Sequence, residues 1–288
     1  MNNTLNQSVI FLFNKSNKRL FNFCIYSSSN TFNVNGMEDP KISALLIVFN
    51  EEKNIEDALN SVEFADEIIV LDSFSTDKTV DIIKNKYPNV KLYQNKFEDF
   101  TKQRNLCISY AKNDWILFLD ADERITPKLK NEILKEIKKP VTKKAYFFKR
   151  KFFFMGEKVN YSGTQNDKNI RLFKKEVAHY DENKRVHEGL SNVDNPGTLQ
   201  NYLLHFSFDS YEAYYKKVIH YSKLKAKDLH EKRIKYQMVK QLSKSAFSFF
   251  KTYILKLGIL DGRKGLTLSY LSALSSFKTY EFLKEEYA

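Results

Sequence analysis

A chain of 288 residues with 42% hydrophobic and 15% aromatic residues is long enough for one large domain or two modest ones, and it can bury a substantial core. Its two cysteines, Cys24 and Cys107, are too few for a disulfide framework or a zinc site, which favours a reducing compartment. Most of the formal charge of +12 lies late in the chain, because residues 211–256 carry 12 Lys or Arg against 3 Asp or Glu, a net of +9. A basic block beside aromatic residues suits an anionic membrane surface as well as the phosphates of a nucleic acid.

The first 36 residues differ in composition from the rest. They contain no acidic residue, nine Asn and five Ser, with a short apolar patch, SVIFLF. This patch is too brief and too poorly flanked for a secretory signal, and a transit peptide is disfavoured because Arg19 is the only arginine. The composition favours a disordered arm or a translation start at Met37. No uninterrupted apolar stretch of the chain approaches the ~20 residues of a membrane-spanning helix.

From residue 42 onward, apolar strands alternate with amphipathic helices. The predicted strands are ISALLIVF, DEIIVLD, VKLYQN and DWILFLD, and the predicted helices between them are NEEKNIEDALNSV, STDKTVDIIKNKY and DFTKQRNLCISYAK. Continuous apolar strands separated by helices indicate a parallel sheet covered on both faces. Ligands of such sheets bind beyond the carboxyl ends of the strands. The polar residues at those ends are Asn50, Glu51, Asp72, Asp120 and Asp122.

The rest of the chain changes character twice. Residues 143–208 are mixed and aromatic, a pattern that predicts β-rich structure with loops. From Ser210 onward the pattern is helical, with tyrosines on one face and lysines on the other. A charge-free segment near the end, LTLSYLSALSSF, fits an interfacial helix and a helix docked on its own domain equally well.

The segment FLDADER, residues 118–124, ends the fourth predicted strand with two aspartates one residue apart. Side chains at i and i+2 of an extended chain point to the same side, so Asp120 and Asp122 face one spot and repel each other unless a cation lies between them. Mg²⁺ and Mn²⁺ bind through one or two carboxylates together with phosphate oxygens. Taken alone, the pair is more readily a solvated strand end. Its place after the fourth apolar strand indicates a cation site for a diphosphate.

Other phosphate chemistries fit less well. The chain has no G-x-G-x-x-G after the first strand and no G-x-x-x-x-G-K-[ST], which disfavours a dinucleotide enzyme and a P-loop NTPase. A phosphatase with an aspartate nucleophile also carries D-x-D after an apolar strand, but usually the first strand, and with Thr or Val where this chain has Arg124. That alternative ranks low.

Several motifs in one order resemble family 2 glycosyltransferases of the GT-A fold, and more narrowly the branch that includes lipopolysaccharide-core β-1,4-glucosyltransferases. They are ISALLIVFNEEKNIEDALNSV, DEIIVLDSFSTDKTVDII, DFTKQRNLCISYAKNDWILFLDADE, the later RLF and VHE, and LGILDGRKG near the end. The resemblance implies an α/β fold, a Rossmann-like, mostly parallel sheet flanked by helices, with a helical, basic C-terminal region. It also implies sugar transfer, of glucose in that branch, from a UDP-sugar with Mn²⁺ or Mg²⁺ as cofactor.

By this resemblance, the loop after the first strand, Phe49, Asn50 and Glu51, lines the nucleotide pocket. Asp72 accepts a hydrogen bond from the uracil ring; without the family it would be an ordinary helix-cap acid. Phe74 stands where the family usually has Gly, which puts the path of its loop in question.

The resemblance also assigns the charged residues. Asp120 lies near the ribose and the water shell of the metal, and Asp122 ligates the metal directly. Arg104 is a cation near the base and the diphosphate, with a solvated helix cation as the alternative. Arg171 grips the donor phosphates or an anionic acceptor, or is a solvated strand cation.

The reaction needs a base, because a carboxylate must take the proton of the acceptor hydroxyl that attacks the anomeric carbon. The resemblance assigns this role to Glu188, with His187 beside it as an orienting or acceptor-binding group; an ordinary salt-bridged acid is the alternative for Glu188. Inversion of an α-linked UDP-sugar would yield a β-glycoside.

These expectations combine into three segments: an arm at 1–36, a GT-A catalytic domain at 37–208 and a helical region at 209–288. The basic, aromatic helices are expected to bind anionic lipid, which would hold a cytoplasmic enzyme on the inner face of the membrane, where its glycan acceptor is anchored. No nucleic-acid partner is expected. The competing class is a nucleic-acid- or membrane-binding protein without catalysis, but no RNP-like sequence, zinc pattern or helix-turn-helix signature supports nucleic-acid binding.

Overall fold

The first part of the fold alternates strand and helix as predicted. The structure is a computed structural model that describes residues 39–180, 190, 193–208 and 210–287. Its first elements are β1 (Ile42–Val48), α1 (Ile55–Val62), β2 (Glu67–Asp72), α2 (Thr79–Lys86), β3 (Lys91–Gln94), α3 (Phe100–Tyr110) and β4 (Trp115–Asp120). The four strands pair in parallel in the order β3-β2-β1-β4, so their carboxyl ends share one edge of the sheet.

The helices α1 and α2 begin later than predicted because the residues before them link two loops. Asn50 N–H donates to Ser75 Oγ at 2.8 Å, and Thr76 N–H donates to Asn50 Oδ1 at 2.8 Å. Glu51 N–H donates to Thr79 Oγ1 at 2.8 Å. These bonds satisfy polar groups that a longer helix would have used, and they fix both loops at the carboxyl edge of the sheet.

The second part of the sheet curls back toward the first. It comprises β5 (Glu123–Ile125), α4 (Pro127–Ile137), β6 (Ala145–Phe154), β7 (Glu157–Val159), β8 (Lys168–Lys174) and β9 (Gly197–Phe208). The strand order continues from β4 as β8-β6-β9-β5, with β7 paired to β6. Since β5 follows β4 after two residues yet pairs with β9 at the end of the order, β9 must pass beside the tip of β4.

Each face of the sheet has its own hydrophobic cluster. Leu46 of β1 packs with Leu59 of α1 on one face, and Leu45 packs with Cys107 of α3 on the other. Burial on both faces explains why the strands read as continuous apolar runs instead of alternating patterns.

The C-terminal helices pack on each other and on the sheet. They are α5 (Tyr211–Glu231), α6 (Met238–Phe250) with a π-helical continuation (Lys251–Leu255), a 3-10 turn (Gly258–Asp261) and α7 (Gly262–Glu285). The charge-free segment belongs to α7, where Leu268 and Leu271 are buried against Val218 of α5 and Phe154 of β6, so it is a docked helix. The chain from Asp39 onward forms one compact unit. Within its described residues, no helix is long and apolar enough to cross a membrane.

Candidate active site

A cavity of about 890 Å³ lies at the carboxyl edge of the parallel strands. Five of the predicted site residues line it: Phe49, Glu51, Arg104, Asp120 and Asp122. Their elements are far apart along the chain and meet because parallel strands end at the same edge.

The negative charge of Asp120 is balanced by two arginines. Its Oδ1 accepts a hydrogen bond from Arg104 at 3.1 Å, and its Oδ2 forms an ion pair with Arg171. Burial alone would raise the pKa of Asp120, but the charges of Arg171 and Arg104 outweigh it and hold that pKa well below its ordinary value. Asp120 is therefore ionised at any physiological pH.

Glu123, the next acid of FLDADER, was missed as a functional residue. Its side chain is fully buried and accepts hydrogen bonds from Arg171 at 2.8 Å and Arg150 at 3.1 Å, while Arg150 also pairs with Asp167 at 2.8 Å. The backbone N–H of Asp120 donates to Glu123 Oε2 at 3.2 Å. This chain of alternating charges fixes the strand tip that carries the acid pair. Glu123 was missed because it belongs to three consecutive charged residues, Asp122 to Arg124, a pattern that is typical of a solvated turn.

Asp122 faces His205, which was also missed. Asp122 Oδ2 lies 3.2 Å from His205 Nε2, and Phe206 N–H donates to Asp122 O at 2.8 Å. His205 Nδ1 is buried without a hydrogen-bond partner among the described residues, and its ring meets Phe152 edge to face at 5.6 Å. The pair is separated by 83 residues and depends on the pairing of β5 with β9, so no local signal could reveal it.

A divalent cation fits this pair. Asp122 and His205 offer a carboxylate and an imidazole on the same cavity wall. The described residues contain no group of three or more His, Cys, Asp or Glu that could hold a metal by itself. Mg²⁺ and Mn²⁺ bind through one or two carboxylates and complete their shell with substrate phosphates and water, so the carboxylate of Asp122 fits such an ion, with the imidazole of His205 beside it as a further donor.

The loop after β1 presents two of its three predicted residues to the cavity. Phe49 is 56% exposed there, and Glu51 accepts a hydrogen bond from Asn54 Nδ2 at 2.9 Å. Burial raises the pKa of Glu51, and the charge of Asp122 adds to that rise. Asn50 takes a left-handed conformation, with φ of 56°, and ties the two loops together.

Asp72 holds the neighbouring loop. It is fully buried and accepts hydrogen bonds from Ser75 N–H at 3.0 Å, Ser75 Oγ at 2.5 Å and Gln94 Nε2 at 2.9 Å, while Ser73 lines the cavity. The bond from uracil to Asp72 stays a prediction. Phe74 has a φ of 61°, the left-handed conformation that suits Gly. This conformation costs a residue other than Gly about 1–2 kcal/mol.

The two predicted arginines differ in position. Arg104 lines the cavity, and its guanidinium lies 4.7 Å from the ring centre of Phe118 and 5.7 Å from that of Tyr180. Arg171 is only 4% exposed, so it is not a solvated strand cation. Its contact with phosphates or acceptor stays a prediction, and its charge braces Asp120 and Glu123.

The C-terminal region completes the cavity wall. Lys217 and Tyr221 of α5 line it, and Lys96 and Arg150 add further cations. The predicted base, Glu188, and its neighbour His187 lie outside the described residues.

Acids, an imidazole and arginines converge at the carboxyl ends of parallel strands, which is where α/β proteins bind their ligands. The glycosyl transferase family 2 profile matches residues 43–201. An uncharacterized glycosyltransferase of Rickettsia typhi is 30% identical over 258 residues, which cover 85% of this chain and 87% of the relative. This chain therefore belongs to glycosyltransferase family 2, and the predicted family and GT-A fold are confirmed.

Other relatives match differently. Glycosyltransferase SunS of Bacillus phage SPbeta is 47% identical over 100 residues, 34% of this chain and only 24% of the length of SunS. The lipopolysaccharide core biosynthesis glycosyltransferase LpsC of Rhizobium meliloti is 24% identical over 252 residues, which cover 83% of this chain and 93% of LpsC. The structure of S. aureus TarS 1-349 with UDP-GlcNAc has 18% identity and a TM-score of 0.46, over 86% of this chain and 91% of that one. A likeness this distant implies nothing about the site.

Proposed function

We propose that this chain is an inverting, metal-dependent hexosyltransferase. It would move a sugar, which we propose to be glucose, from a UDP-sugar to a membrane-anchored glycan such as a lipopolysaccharide core. The observation that carries the proposal is the pair of Asp122 and His205 beside Asp120, which two arginines keep ionised, in one cavity at the strand ends.

The donor would bind through stacking and charge. Phe49 offers an exposed aromatic face to a base, and Lys96, Arg104, Arg150 and Lys217 give the cavity an excess of positive charge. Cations that line a cleft attract and orient a diphosphate. Asp120, an acceptor at any physiological pH, suits a ribose hydroxyl or metal-bound water.

Asp122 and His205 would hold Mn²⁺ or Mg²⁺. When bound, the metal supplies positive charge that stabilises the departing diphosphate. Glu123, Arg171 and Arg150 keep the strand tip in place, so the ligand oxygens need no rearrangement when the donor arrives.

The base is assigned by family resemblance. Glu188 would take the proton of the acceptor hydroxyl, and His187 would orient the acceptor or the base. Attack from the face opposite UDP would convert an α-linked donor into a β-glycoside. A Glu188→Gln variant with near-normal turnover would exclude this assignment.

The test is UDP release from a panel of UDP-sugars with Mn²⁺, Mg²⁺ or EDTA, with UDP binding measured alongside. Asp122→Asn and His205→Ala should each lower metal-dependent release roughly 100-fold or more. Asp114→Asn is the matched control, because Asp114 is exposed near the opposite end of β4 and should leave release unchanged. Absence of UDP affinity with either metal would overturn the proposal, whereas binding without release would mean that the acceptor is missing.

The proposal includes residues 37–208 as the catalytic domain, residues 209–288 as the membrane-associating region, and a cytoplasmic location at the inner face of the membrane. The net charge of +9 over residues 211–256 supports attraction to anionic lipid. No nucleic acid is a partner. Salt-sensitive RNA binding without affinity for UDP would favour the competing class.

A further inference from the structure

Helix α6 packs with its polar side inward. Gln241 is buried and donates from Nε2 to Phe277 O of α7 at 3.1 Å. Ser248 Oγ lies 2.7 Å from Ser276 Oγ, and the continuation of the helix places Thr252 Oγ1 3.3 Å from Ser272 Oγ. Amide and hydroxyl groups thus make the contact with α7 that apolar side chains make in most helices of water-soluble proteins.

The outer surface of this region is apolar. Its exposed large side chains, here called the apolar face, include Val239 at 79%, Met238 at 63%, Leu260 at 61%, Leu255 at 59% and Phe247 at 57%. The other members are Leu242, Phe250, Ile254, Leu257 and Ile259. Ten such residues within 23 positions exceed the scattered exposure that is normal on a protein surface and mark an interaction surface.

The turn at the end of the apolar face is held rigidly. A Cβ on Gly265 would lie 1.7 Å from Gly258 O, so two backbones approach closely there. Asp261 accepts hydrogen bonds from Tyr161 N–H at 3.0 Å and Ser162 Oγ at 2.7 Å, which anchors the turn to the loop after β7. Ile259 and Leu260 are therefore fixed in their exposed positions. These contacts account for Gly258, Asp261 and Gly265 of LGILDGRKG.

The charge of the region selects the occupant of the apolar face. From Lys232 to Leu260 the chain carries seven Lys or Arg and no Asp or Glu. A second copy would bring the same positive charge against it, whereas a bilayer with anionic lipids offers both an apolar interior and negative headgroups. Helix contacts through small and hydroxyl side chains are typical of helices in lipid, and Ser222 of α5 makes one to Ser275 of α7 at 3.1 Å.

We propose that the apolar face is a docking surface that inserts into the headgroup region of a bilayer containing anionic lipid, with the turn Gly258–Asp261 as its fixed wedge. The inference rests on the proposed function for the membrane-anchored acceptor, but lipid binding can be measured without sugar transfer.

The experiment is co-sedimentation of the full chain with vesicles of phosphatidylcholine alone or mixed with phosphatidylglycerol. Val239→Ser, Leu242→Ser and Phe250→Ser combined should weaken binding to the mixed vesicles more than tenfold. Val141→Ser is the matched control, because Val141 is 87% exposed outside the face, and it should bind as the unaltered chain does. Lys240→Gln with Lys251→Gln should weaken binding to the mixed vesicles by roughly fivefold per lysine.

Each further outcome separates the alternatives. Equal thermal unfolding of the triple variant and the control excludes misfolding, since all three positions are exposed. Unchanged vesicle binding by the triple variant would overturn the inference. The inference would also be overturned if the unaltered chain did not bind vesicles but formed a dimer that the triple substitution dissociates, because a second copy would then cover the apolar face. Vesicle binding without UDP affinity would overturn the proposed function and leave this inference standing.

Discussion

The two aspartates of FLDADER have different surroundings although one residue separates them. Asp120 is paired with two guanidinium groups and connected through Arg171 to Glu123. Asp122 lies beside the imidazole of His205 and is open to the cavity. The arginines relieve the repulsion expected between neighbouring acids, and this leaves the second carboxylate available to an external cation.

The buried charges around Glu123 should be costly to unbalance. Glu123→Gln leaves two arginines without their shared carboxylate, so we expect the free energy of unfolding to fall by about 3–5 kcal/mol. Asp167→Asn is the control, because Asp167 is partly exposed at the outer end of the same network and should cost about 1 kcal/mol or less. Urea denaturation measures both. Equal losses would show that the network is not the source of the stability.

At the scale of elements, the buried acid Glu67 joins the amino ends of the strands, far from the candidate site. Glu67 at the start of β2 accepts hydrogen bonds from Ser43 Oγ of β1 at 2.6 Å and Lys112 N–H at 2.9 Å, and pairs with Lys91 of β3. Burial alone would raise its pKa, but these bonds outweigh it and lower the pKa below its ordinary value. Glu67 therefore ties three strands together as an ionised group.

Because its pKa is lowered in the folded chain, the contribution of Glu67 to the free energy of unfolding depends on pH. It is complete above the pKa of the unfolded chain and is lost as the pH falls through the lower folded pKa. Glu67→Gln should therefore cost about 1–3 kcal/mol of unfolding free energy at pH 7, and the difference should shrink below about pH 4. UDP binding should not change.

Glu98→Gln serves as the control for this series, because Glu98 is 65% exposed and its bond to Lys102 should contribute less than about 1 kcal/mol. Thermal or urea unfolding from pH 3 to 8 provides the comparison. A difference between Glu67→Gln and the unaltered chain that stays constant with pH would contradict the role given to the ionised carboxylate.

The parallel half of the fold could be predicted because its strands are buried on both faces and read as unbroken apolar runs. The acid pair was found because it follows such a run. The partner His205 could not be found, because a three-residue strand, β5, brings it to Asp122. Phe74, where the family usually has Gly, takes a left-handed conformation that its residue type disfavours. Apolar periodicity in α6 indicates a helix, but not which of its sides faces the protein.

At the scale of the whole molecule, the helical region is part of the cavity. Lys217 and Tyr221 of α5 line it, and Val218 packs into the cluster beneath Phe154 of β6. Strand β9 ends at Phe208 and α5 begins at Tyr211, and the domain boundary between residues 208 and 209 stays a prediction. A truncation there would remove cavity wall and expose core, so substitutions in the full chain are the better probe.

Two neighbouring lysines provide such a probe. Lys217→Ala removes a cation from the cavity and should weaken UDP binding about tenfold, since a hydrogen bond to a charged group contributes about 1.5 kcal/mol. Lys216→Ala is the control, because Lys216 is exposed on the same helix and does not line the cavity. Calorimetric titration at fixed ionic strength measures both. Equal affinities would exclude a contact between Lys217 and the donor.

The inside-out packing of α6 also bears on how copies of this protein behave in a crowded solution. An exposed apolar helix is an aggregation hazard, and lysines interspersed with it act as gatekeepers because like charges keep copies apart. That repulsion reaches about 10 Å at 0.1 M salt and only about 3 Å at 1 M. The solubility of the chain should therefore fall as the ionic strength rises. At low salt the positive charges keep the copies apart, and at high salt their exposed apolar surfaces can associate.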